Sequence, residues 1–165
     1  MANYAIVRTD LMSGSTDAAL LTSVKYKVSG TPTAIENGNA VVVGALDTGE
    51  REVYVGSAPT ATSPLSSIVV IATPEVMVDE RKKNLNQFRN EAGDIARGYY
   101  LNSKNVFSVT AEAVTPISAT APAVGQLVEL QADTKWKLVA TATAGSTQVG
   151  TVIAIEGIYI VIRVA

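Results

Sequence analysis

Residues 74–110 read PEVMVDERKKNLNQFRNEAGDIARGYYLNSKNVFSVT. This is the most densely charged stretch of the chain, and it divides two apolar, Val- and Ala-rich flanks that look alike. Within it, Leu85, Phe88, Ala92 and Ile95 fall at intervals of three, four and three, which places them on one face of a helix. Asp79 and Glu80 stand near the N-terminus of that helix, where its dipole favours negative charge. Gly93 is the weak point, because glycine inside a helix costs about 1 kcal/mol relative to alanine. The spacing predicts one short central helix near 80–92. Beyond it, 98–101 and 106–113 read as strands around the Asn-Ser-Lys-Asn turn at 102–105.

Working outward toward the N-terminus, IVVIA at 68–72 is a continuous apolar run bounded by turn residues, the pattern of a strand buried on both faces. Before it, EREVYV at 50–55 alternates, 40–46 is dense in Val, and LLTSVKYKV at 20–28 alternates well. In that last run Val24, Tyr26 and Val28 share one face and Lys25 and Lys27 the other, as a half-buried strand requires. YAIV at 4–7 reads as a short first strand. Toward the C-terminus, the Pro/Ala/Thr connector 115–124 precedes a meander of strands at 126–131, 135–142, 148–155 and 159–164. Gly and Asp punctuate these short strands, which suggests a small barrel or sandwich.

The flanks echo each other. Gly-Asn-Ala-Val-Val-Val at 38–43 resembles Gly-Gln-Leu-Val-Glu-Leu at 125–130, and each leads through a charged, alternating strand to an Ile/Val strand. Either an internal duplication or two ordinary β-meanders produces this pattern. The expected fold is mainly β: small β-barrel or β-sandwich modules with one short central helix. The expected divisions are an N-terminal arm or first strand at 1–17, a β-rich domain at 18–114 holding the helix, and a C-terminal meander or barrel at 124–165. The last of these is a possible repeat of 37–72.

Composition narrows the function. A chain of 165 residues is long enough to bury a real core. Hydrophobic residues make up 47% and charged ones 17%, but aromatics only 5%, so the apolar fraction is mostly small aliphatic side chains. Such surfaces suit packing against neighbours, and a homo-oligomer is expected. A formal charge of −2 and an isoelectric point near 5.1 argue against nucleic acid or an anionic membrane as partner. With no cysteine and no histidine, disulfides, thiolate catalysis and the commonest general base and metal ligand are all excluded. The N-terminal MANYAIVRTD lacks the apolar core of a signal peptide, and no apolar run is long enough to span a bilayer as a helix.

The chain resembles small proteins encoded in the head modules of tailed bacteriophages. The residues that carry the resemblance are the opening MANYAIVRTDLMSG, ENGN at 36–39, GEREVY at 49–54 and PEVMVDERKKNLNQFRNEAGDIARGYYL at 74–101. FSVTAEA at 107–113 and VGQLVELQADTKWKLV at 124–139 add to it. The Gly-x-x-Val-x-Leu strand, short turn, second strand and late Gly-x-x-Ile are similar to capsid decoration or cement proteins. The resemblance implies a non-enzymatic protein made in the host bacterial cytoplasm, which binds the major capsid protein on the outside of the expanded shell. It assigns no catalytic, cofactor-binding or metal-binding residue. The stretch up to Asp17 would then either add a strand to a capsid sheet edge or form the first strand of the body, and the second is favoured.

Other chemistries have weaker support in the residues. Arg81-Lys82-Lys83 reads as a solvated basic face rather than a phosphate site. Asp79, Glu80, Glu91 and Asp94 lack the spacing of a calcium loop. Gly145-Ser146 and Gly56-Ser57 are not nucleophile elbows, since no Gly-x-Ser-x-Gly occurs. Tyr99, Tyr100 and Trp136 are the residues on which the alternative, a receptor- or carbohydrate-binding module of a phage tail or fibre, would rely, although Trp136 and one tyrosine read better as core or interface anchors. A hydrolase acting through carboxylates alone is the remaining rival.

Overall fold

The computed structural model describes residues 3–79, 81–118 and 120–165. Its first sheet comprises β1 (Leu21–Val28), β2 (Thr31–Pro32), β3 (Ala40–Leu46), β4 (Val53–Ser57), β5 (Ile68–Ile71) and β6 (Ala96–Tyr100). The order is β2-β1-β4-β3-β5-β6, and β6 pairs back onto β1, so five of the strands close into a small barrel. β1 and β4 run parallel, and the other neighbours are antiparallel. The period-two pattern of β1 holds through Tyr26, with Thr22, Val24 and Tyr26 buried and Lys25 and Lys27 on the outer face, whereas Val28 at the strand end is exposed. Val41, Val69, Ile71 and Ala96 join Val24 and Tyr26 in the barrel interior. The space is tight enough to require glycine at position 56, where a Cβ would collide with the methyls of Val24 and Val41.

The second sheet comprises β7 (Val106–Thr110), β8 (Val114–Thr115), β9 (Leu127–Gln131), β10 (Asp133–Val139), β11 (Gln148–Glu156) and β12 (Tyr159–Val164), in the order β7-β12-β11-β9-β10-β8. Its edge strands β7 and β8 are consecutive pieces of one segment, bent by a 3-10 turn at Ala111–Ala113. That segment meets β12 with its first half and runs parallel to β10 with its second, as β1 meets β6 and runs parallel to β4. The pairing β4-β3-β5-β6 recurs as β10-β9-β11-β12. Single hydrogen bonds recur too. Gly38 N donates to Ile71 O at 2.7 Å and Ile71 N to Asn39 O at 2.9 Å; Gly125 N donates to Val152 O at 2.8 Å and Val152 N to Gln126 O at 2.9 Å. The two echoing stretches therefore begin equivalent strands in register.

β5 is the wall between two cores. Val69 and Ile71 face the barrel, while Ile68 and Val70 face a larger core that holds Phe107, Val109, Val128, Leu130, Trp136 and Ile162. All four β5 side chains are fully buried, which is why the run lacks alternation. The sheets change at 101–105, and the connector 115–124 lies within the second sheet's stretch of chain. The N-terminal segment packs on the same body. Val7 bridges Val109, Arg8 N donates to Ser108 O and Thr110 N to Ile6 O, so residues 6–8 flank β7 on the side away from β12.

The helix expected near 80–92 does not form; Glu80 lies outside the described residues, and a single 3-10 turn at Leu85–Gln87 takes its place. Local side-chain bonding wins over the three-four spacing. Asp79 Oδ1 accepts from Arg81 N at 3.0 Å, Gln87 Oε1 accepts from Lys83 N and Asn84 N, and Asp94 Oδ2 accepts from Glu91 N at 2.8 Å. Asn90 is drawn into a bridge with Ile35, and Gly93 sits at φ +94°. Leu85, Ala92 and Ile95 are consequently exposed rather than gathered on a buried face. The alternating run at 50–55 is also shifted, since the turn at 48–49 and a bend at 51–52 precede β4, which starts at Val53.

Candidate functional site

The turn at 36–39 holds the body together around the site. Glu36 Oε2 accepts from Ala5 N at 2.8 Å, which ties down the N-terminal segment. The side chain of Asn37, 1% exposed, donates to Thr73 O and accepts from Thr73 N. Gly38 O accepts from Trp136 Nε1 at 2.6 Å, and the Asn39 amide donates to Thr134 Oγ1 at 3.2 Å. One short turn thus bonds the N-terminus, the chain after β5 and β10 of the second sheet.

Beside this anchor runs an open groove of about 800 Å³, between the N-terminal segment, the turn at Leu85–Gln87 and the β11–β12 hairpin. Its floor is apolar and buried, formed by Ile6 and Ile160, while Leu85, Ile155 and Ile158 stand exposed on its walls. The backbone fixes these walls: Tyr4 N donates to Asn86 O at 2.9 Å and Ile6 N to Thr110 Oγ1 at 3.2 Å. A smaller cleft of about 370 Å³ adjoins the groove, shares Leu85 and Tyr159 with it, and adds Arg8, Asp10 and Glu75. Arg8 lies 2.9 Å from Asp10, 3.8 Å from Glu156 and over the Tyr159 ring. The hydrogen bond from Arg8 holds the Asp10 carboxyl below its usual range.

The residues singled out in the sequence do not converge. Trp136 is fully buried, with its ring centroid 5.2 Å from that of Phe107, and Tyr99 is a core residue. Tyr100 packs partly buried against the other core, so these aromatics offer no shared face for a sugar. Arg81 pairs with Asp79 at 2.9 Å and Lys82 with Glu91 at 3.9 Å. Ser146 lies in a turn, its N–H bonded to Thr143 O, and Ser57 ends β4 at the surface. Among the described residues no group of three acidic side chains is placed to hold a metal ion.

Two charged sites escaped sequence reading. Asp47 receives Lys27 Nζ at 2.6 Å and Lys25 Nζ at 3.2 Å, and the Lys27 hydrogen bond is the chief reason its carboxyl is lowered to about 2. The paired lysines of β1 were visible as a face, but their partner lies two strands away. Glu129 is fully buried, accepts from Thr143 N and lies 3.7 Å from Lys137 Nζ. It occupies the place that Val42 takes in the first sheet, so apolar patterning offered no signal for it. The groove itself depends on which aliphatic residues stay uncovered. Comparison with protein-family models, curated protein sequences and solved structures gives no match.

Proposed function

We propose that the protein is a non-enzymatic structural component of a tailed-phage head, made in the host cytoplasm and bound to the outer surface of the assembled capsid. The observation that carries this reading is the open apolar groove on a two-sheet body with a shared core, taken with the decoration-protein patterns of the sequence. Exposed Leu85, Ile155 and Ile158 supply binding area without a reactive group. A ligand that binds the assembled lattice better than the free subunit stabilises the lattice by mass action. The major capsid protein is the partner, and several copies of this chain act together as a homo-oligomer.

Two measurements test the proposal. The copy number in purified virions, relative to the major capsid protein, is expected to match whole lattice positions; absence from virions overturns the reading. Binding to expanded shells is expected to exceed binding to free capsid protein, and equal binding to both removes the stabilising mechanism.

A further inference from the structure

We propose that the groove is filled by residues 74–78 of a second copy of this chain, and that two copies exchange these segments across a two-fold axis. The segment belongs to no strand of either sheet. Exposure alternates along it: Pro74, Val76 and Val78 are exposed and Glu75 and Met77 half-buried, with Val76 N donating to Pro74 O at 2.8 Å. Val76 is 76% and Val78 92% exposed. Two aliphatic side chains left so far out offer apolar area to a second surface.

The groove is the matching half, with exposed Leu85, Ile155 and Ile158 above the buried floor of Ile6 and Ile160. Segment and groove adjoin on one face, because Glu75 lines the cleft that shares Leu85 and Tyr159 with the groove. A patch that carries both halves side by side is self-complementary, so one two-fold rotation seats each segment in the other copy's groove and closes the assembly. Charge agrees with this arrangement. Glu75 beside the valines and Lys83 on the groove wall have no ion pair among the described residues. In the exchanged contact each Lys83 is brought to the partner's Glu75.

The inference gives the proposed homo-oligomer its interface, and its test needs no capsid, so either can fail without the other. Sedimentation equilibrium of the full chain is expected to show a dimer at micromolar concentration. Val78→Lys and Ile158→Asp alter exposed side chains and leave the unfolding midpoint unchanged at concentrations where the chain is monomeric, yet each is expected to weaken the dimer by about tenfold or more. The decisive arm mixes the two variants. In the mixed dimer the segment of the Ile158→Asp chain meets the groove of the Val78→Lys chain unsubstituted, and the other contact sets the introduced lysine against the introduced aspartate, so a heterodimer stronger than either variant's homodimer is expected. A monomeric wild type, a dimer indifferent to both substitutions, or a mixture without recovered association each overturns the proposal.

Discussion

Trp136 shows how much one side chain contributes here. Its indole fills the larger core beside Phe107, and its N–H satisfies the Gly38 carbonyl from the other sheet's stretch of chain. Trp136→Phe keeps most of the apolar area but leaves that carbonyl buried and unpaired, which is expected to cost about 1–3 kcal/mol in urea unfolding. Asp47 sets a pH dependence. Its folded pKa of about 2 lies below the ordinary 3.8, so the unfolded chain takes up the proton first as acid is added. The stability this carboxylate contributes is therefore complete above 3.8 and lost as pH falls toward 2. Urea midpoints of wild type and Asp47→Asn are expected to differ at neutral pH and to converge across that acid window. A gap that persists at the acid end would show that the lysine contacts are not its source.

Among the elements, β5 and the stretch before β6 make opposite points. β5 separates two cores, so alanine at Ile68 and at Ile71, which point opposite ways, is expected to cost about 2–5 kcal/mol in each case. A strand with one solvated face would leave one of the two nearly silent, and chemical denaturation of the pair distinguishes these outcomes. Gly56→Ala inserts a methyl where Val24 and Val41 already meet, with an expected loss of about 1–3 kcal/mol. Residues 81–94 have helical spacing without a helix, because the side chains of Asp79, Gln87 and Asp94 bond the nearby backbone first. Far-UV circular dichroism is expected to show a β spectrum without the paired helical minima.

Taken whole, the molecule is two similar sheets fused through one shared core rather than two beads on a linker. Ile68, Val70 and Tyr99 of the first sheet pack in the same cluster as Val128, Leu138 and Ile162 of the second, and the N-terminal segment flanks β7. Unfolding is expected to be a single transition, with Trp136 fluorescence and circular dichroism giving coincident curves. Residues 101–165 alone lack the β5 wall and the Gly38 acceptor, so that fragment is expected to be unfolded, with the red-shifted emission of a solvated tryptophan. Two separated transitions would refute the shared core.

The sequence by itself determined the β class, the alternation of β1 and the doubly buried run at 68–71, and it showed the likeness of 38–43 to 125–130, whose equivalent register the backbone hydrogen bonds supply. These are legible because strand burial has period two and because glycine turns mark where strands begin. Only the tertiary structure decided that 81–94 forms no α-helix, that Lys25 and Lys27 share Asp47, that Glu129 is buried, and that Leu85, Ile155 and Ile158 border one groove. Each of these depends on residues far apart in the chain meeting or failing to meet. A period in the sequence records which side of an element is apolar, whereas the identity of what covers that side is set by packing between elements.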